Sequence, residues 1–167
     1  MNTQAFKLPT DARRGPNCGV TALAVSTGVS FNKAWQTFQA VNPRVYGRRW
    51  KGGTYTHDQA KALERLKVAF HNLPCERVSL KKFVEYYTKP DTVYMVTTTR
   101  HVQTILNGEV IDQKGKKKIN EYWGRKKFVK EAKVIQEPFK HADSATDAPL
   151  PARPQGHTSN ARQLLLF

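Results

Sequence analysis

Apolar residues recur at helical spacing through the first half of the chain and at strand spacing through the second. In 18–27, Val20, Leu23 and Ala24 share one face, and Gly28 stands where a left-handed C-cap would end the run. Phe31, Ala34, Trp35 and Phe38 repeat that spacing behind Ser30. Thr56-x-x-Gln59 has the form of a capping box, with Ala60, Leu63 and Leu66 as the inner face of the helix behind it. Ser79 predicts the cap of a further helix running through Tyr87 and ended by Pro90. The pattern then changes. Residues 92–99 are dense in β-branched and aromatic side chains, 128–136 predicts another strand, and His71 alternates with core residues on a short one. Between them, 101–106 and 109–113 flank Asn107-Gly108, the signature of a tight β-hairpin. Helices first and an antiparallel sheet second predict an α+β fold, with N-terminal helices packed on a C-terminal antiparallel β-sheet.

Composition divides the chain. Residues 1–137 carry nearly all the aromatics and every periodic segment. From Pro138 the sequence turns to Pro, Ala, Ser, Thr and Asp, so 138–161 reads as a flexible linker with too little apolar surface to offset the entropy of ordering. The last six residues, 162–167, break that pattern with an abrupt apolar cluster. A length of 167 residues with 39% hydrophobic content suits one domain plus a tail and excludes wholesale disorder. No 18-residue apolar run is present and the start lacks a secretory stretch, so a cytoplasmic protein without a membrane partner is expected. Cys18 and Cys75 form no disulfide framework, and Cys75, beside Pro74, reads as structural. No zinc-finger spacing, Walker loop or dinucleotide fingerprint occurs, so neither metal nor cofactor is expected.

One constellation can carry chemistry. A cysteine nucleophile needs a stabilised thiolate, a base within hydrogen-bond reach and a group that orients the base. Cys18 opens a predicted helix, whose dipole lowers a thiol pKa, and Gly19 leaves room beside the sulfur. Folding at Asn107-Gly108 pairs 106 with 109 and 103 with 112. Asp112 then lies on the same face as His101, two residues along, where its carboxylate can hold the imidazole. A single cysteine on a helix is more often a small buried hydrophobe, and His57 and His71 carry no comparable context. The order Cys, His, Asp is what singles these three out.

Asn17-Cys18-Gly19-Val20-Thr21-Ala22-Leu23-Ala24, with Arg100-His101-Val102 and 107–112, resembles the papain-like cysteine peptidase superfamily. The nearest branch is the bacteriocin-processing type and its small bacteriophage-encoded relatives. The resemblance spans roughly 14–136 as an order of elements. It implies a papain-like fold, a nucleophile at Cys18, a base at His101, an orienting acid at Asp112 and a protein substrate. Such peptidases usually place a glutamine several residues before the cysteine as oxyanion donor. Residues 10–17 contain none and Gln4 is too distant, which leaves the backbone N–H of Cys18.

Charge changes the picture of partners. Lys and Arg total 28 against 13 acidic residues, a net +15 that favours an anionic partner. Nine of the cations fall in 114–133, among them Lys114, Lys116, Lys117, Lys118, Lys126 and Lys127, with Tyr122 and Trp123 interleaved. Arg44, Arg48, Arg49 and Lys51 form a second cluster around Tyr46 and Trp50, beside a flexible Gly52-Gly53 pair. Basic residues mixed with aromatics suit non-specific DNA binding through phosphate contacts and base stacking, although a charge run is ordinarily a solvated face. Finally, Gln163-Leu164-Leu165-Leu166-Phe167 resembles the bacterial sliding-clamp-binding pentapeptide at Gln163, Leu164, Leu166 and Phe167, with Leu165 in place of the usual small polar residue. That resemblance implies the bacterial DNA sliding clamp as a partner. Two functions are therefore expected in competition: a phage thiol hydrolase recruited to the clamp, or a non-catalytic DNA- and clamp-binding factor that modulates host replication.

Overall fold

The computed structural model describes residues 6–136; the linker 138–161 and the peptide 162–167 lie outside the described residues. Its elements are α1 (Cys18–Thr27), α2 (Phe31–Val41), α3 (Thr56–Arg65), β1 (Phe70–Asn72), α4 (Leu80–Tyr87), β2 (Val93–Thr98), β3 (His101–Leu106), β4 (Glu109–Asp112), β5 (Gly115–Lys118), a 3-10 turn (Ile119–Glu121) and β6 (Val129–Ile135). The class is α+β. All six strands pair antiparallel in the order β1-β6-β2-β3-β4-β5.

Helix α1 is buried from Gly19 to Thr27 on every side, not only along the expected Val20, Leu23 and Ala24 stripe. Its polar residues are satisfied from within. Ser26 and Thr27 donate back to the carbonyls of Ala22 and Leu23 at 2.7 Å each, and Thr104 of β3 also donates to Ala22. Gly28 ends the helix at φ 77°. At the start of α2, Ser30 accepts from Lys33 N while Asp11 accepts the amides of Phe31 and Asn32 at 2.8 Å, placing a carboxylate at the positive end of the dipole. Ser79 caps α4 as expected.

The α3 capping box does not form. Tyr55 holds the extended N-cap position without a side-chain bond, so the helix enters one residue earlier and Thr56 is already helical. The inner face turns accordingly to Asp58, Gln59, Ala62 and Leu63, with Leu66 at the C-cap, while Ala60 is only half-buried.

Strand alternation splits the core in two. Val93 and Met95 of β2 pack with α1, α2 and α3; Tyr94 and Val96 pack with Leu80 and Phe83 of α4, Ile119 and Tyr122. Helix α4 thus joins the second face of the sheet, which the order of elements did not announce. The β3–β4 hairpin has the expected register, Leu106 against Glu109 and Thr104 against Ile111, over Asn107 (φ 50°) and Gly108 (φ 75°). Strand β5 extends it as an edge carrying Lys116, Lys117 and Lys118, and His71 on the opposite edge is exposed rather than set among core residues. Between β2 and β6 the register shifts: Thr97 opposes Glu131 and Thr98 opposes Val129, so Lys130 is bulged out of the ladder.

Candidate active site

The start of α1 is locked before any catalytic group is considered. Asn17 is buried; its amide donates to Arg13 O at 2.8 Å and its oxygen accepts from Thr21. The segment 52–54 lies against it. Gly52, at φ 106°, is so close to Asn17 that a Cβ there would stand 2.6 Å from the asparagine's own. At Gly19 a Cβ would collide with Thr54 Oγ1, so the glycine after the cysteine admits a threonine from another segment. The loop is held down by aromatic anchors. Tyr46 OH donates to the buried Asp58 (2.7 Å) and accepts from Tyr55 N, while Trp50 Nε1 donates to Gly53 O (2.6 Å). Gly52-Gly53 is therefore a close-packed seam at Gly52, correcting the expectation of a flexible pair.

His101 is the first residue of β3, at the sheet end reached by the N-terminus of α1. Its Nε2 lies 3.0 Å from Asp112 Oδ2. The same oxygen accepts from Tyr122 OH (2.8 Å) and Trp123 Nε1 (3.0 Å), and Oδ1 accepts from Lys114 N (2.7 Å). Burial pushes the Asp112 carboxyl up, but the bonds from His101, the Lys114 amide, Tyr122 and Trp123 outweigh it and hold the pKa at about 2. An ionised Asp112 fixes a proton on Nε2 and leaves Nδ1 for Cys18. Burial likewise raises the Cys18 thiol, yet hydrogen bonds from His101 and from the amides of Val102 and Gly19, with the imidazole charge, bring it below its ordinary value. For His101, burial lowers the pKa, and hydrogen bonds to Asp112 and Cys18 with their charges leave it raised. The directions agree: both shifts favour the charged forms, thiolate and imidazolium, relative to the free side chains.

A cleft of about 280 Å³ opens on this pair, lined by Cys18, Gly53, Thr54, Gln59, Thr97, His101 and the bulged Lys130, among others. Cys18, His101 and Asp112 are thus brought together. Among the described residues no group of three or more His, Cys, Asp or Glu could hold a metal ion, and Cys75 packs half-buried against the second core. His57 is exposed beside Asp58.

The basic residues are less concentrated. Arg48, Arg49 and Lys51 are exposed on the α2–α3 connection; Lys114, Lys116, Lys117, Lys118 and Lys126 are exposed around β5 and before β6. Their interleaved aromatics are committed elsewhere. Tyr46 is buried, Trp50 packs on Trp35 (4.3 Å) and Tyr46 (4.6 Å), and Tyr122 is buried on Asp112. Trp123 carries the ammonium groups of Lys114 (4.6 Å) and Lys127 (4.3 Å) over its ring. Base stacking by Tyr46, Trp50 and Tyr122 is therefore not supported, because packing occupies those rings, whereas Trp123 stays 46% exposed beside its two lysines. Gln163, Leu164, Leu166 and Phe167 lie outside the described residues.

Two cleft residues escaped the sequence reading. Gln59 looked like a capping-box residue, and Thr54 carried no signal; only Gly19 hinted that something approaches closely. Tyr122 and Trp123, which the sequence groups with the basic run, instead donate to Asp112. Comparison with protein-family models, curated proteins and solved structures finds no match for this chain.

Proposed function

We propose that the protein is a papain-like thiol hydrolase acting on a peptide or isopeptide bond. The observation that carries this reading is the Cys18–His101–Asp112 contact, in which the thiol is lowered and the imidazole raised. The Cys18 thiolate attacks the substrate carbonyl carbon, and the C=O electron pair moves to oxygen. His101 Nδ1–H protonates the departing amine as the intermediate collapses to a thioester. A water then gives a proton to Nδ1 and attacks the thioester, releasing the acid and returning the thiolate. The ordered start of α1, the His on the neighbouring strand and the acid across the hairpin support the papain-like arrangement.

The test is the pH profile of Cys18 alkylation by iodoacetamide, with Cys75→Ser as background. Reactivity should persist well below the free thiol pKa of about 8.5, and His101→Ala should abolish that low-pH reactivity with the fold intact. A profile centred on the free value sinks the reading.

The sequence adds a place of action: Gln163–Phe167 would recruit the hydrolase to the bacterial sliding clamp, and the basic surface to DNA, in the cytoplasm of a phage host. A non-catalytic clamp- and DNA-binding factor is the second reading, favoured by the absence of a glutamine in the 10–17 stretch just ahead of Cys18. Cys18→Ala capturing a substrate that the wild type releases supports turnover; a stoichiometric partner held equally by both supports the factor.

A further inference from the structure

Thiol attack on a carbonyl creates an oxyanion, and the donors that receive it decide much of the rate. The amide of Cys18 is one, having no acceptor inside the helix. A second is identifiable from the direction of two side-chain bonds along the cleft wall. Thr97 Oγ1 donates to Gln59 Oε1 at 3.4 Å, and Gln59 Nε2 donates to Thr54 Oγ1 at 3.2 Å. Gln59 is only 1% exposed, so its amide has little access to water. Thr54 Oγ1 is thereby used as an acceptor, and its own proton cannot point at the Gln59 amide group, which is itself a donor. No other partner of this hydroxyl is found among the described residues. Its position is fixed by the close approach to Gly19, immediately after the nucleophile, and it faces the cleft that holds Cys18 and His101.

We propose that Thr54 donates its hydroxyl proton as a hydrogen bond to the oxyanion formed at Cys18, with Gln59 and Thr97 as positioning residues that aim it. The inference rests on the thiol-hydrolase reading. As the S–C bond forms, the carbonyl π pair passes to oxygen, and Thr54 Oγ1–H stabilises that charge without transferring the proton. The role usually filled by a side chain ahead of the cysteine is supplied here by a residue from the segment packed against Gly19.

The experiment compares two reactions of Cys18 in the full chain. Alkylation by iodoacetamide displaces iodide and develops no oxyanion, so it reports the thiolate alone; acylation by p-nitrophenyl acetate passes through one. In Thr54→Val the ratio of acylation to alkylation should fall about 10²-fold, and Thr54→Ser should restore it. Gln59→Leu should lower the same ratio, and adding it to Thr54→Val should cost little more, because the two act through one hydroxyl. Should Thr54→Val not fold, Thr97→Val tests the far end of the relay without disturbing the contact with Gly19, and the ratio should again fall. An unchanged ratio in these variants overturns the proposal, as does a wild-type Cys18 that alkylates rapidly but is never acylated. A Cys18 that alkylates no faster than a free thiol overturns the hydrolase reading itself, so the two failures are distinguishable.

Discussion

Asp112 is a small group with four donors converging on it, and that convergence sets its pH behaviour. Its folded pKa, about 2, lies below the ordinary carboxylate value near 4. A depressed carboxylate contributes stability that is fully present above the unfolded value and is lost as pH falls through the folded one. Acid unfolding should therefore show a loss of roughly 2 kcal/mol between about pH 4 and pH 2, read from urea midpoints at each pH, and Asp112→Asn should lack it. Gly19 makes a second residue-scale case. Gly19→Ala would force Thr54 away from the start of α1, so acylation of Cys18 should fall by at least tenfold while its alkylation pH profile keeps its shape. An alanine variant acylated at the wild-type rate would mean that the contact has no part in the chemistry.

Among the elements, the β3–β4 hairpin was the most legible. Asn107-Gly108 demanded a turn with positive φ at both residues, and that turn fixed the register placing Asp112 with His101. What it could not announce was anything arriving from a distant segment. Thr54 reaches Gly19 across 35 positions of sequence, and no spacing rule connects them. The misplaced α3 boundary has the same origin, since Tyr46, not a local cap, holds the amide of Tyr55. Strand β5 was read only as a run of lysines. On an edge strand, lysines also prevent pairing with a second sheet. Replacing Lys117 and Lys118 by threonine should raise self-association, detected by light scattering at low salt; a variant that scatters no more than the wild type leaves those charges to a partner.

For the whole molecule, the sequence conveyed class and charge but not coverage. The density of β-branched and aromatic residues in 92–99 predicted a strand, yet its two apolar faces became legible only when α4 was seen against the second one. Charge remains a molecular property: with +15 overall, DNA affinity should fall steeply with salt and show no sequence preference. Reversing Lys116, Lys117 and Lys118 should flatten the slope of log K against log salt by about one unit for each phosphate no longer neutralised. Binding that ignores salt would remove the basic surface from the functional account.

Trp123 touches the site in a way that makes it an optical reporter. Its ring stands edge-on to His101 with centroids 5.0 Å apart, and its indole N–H is bound to Asp112. A protonated imidazole quenches indole emission on contact, whereas a neutral one does so weakly. In a chain carrying Trp35→Phe and Trp50→Phe, the remaining fluorescence would brighten as His101 loses its proton. The charge state of the imidazole could then be followed by light alone, with no substrate present.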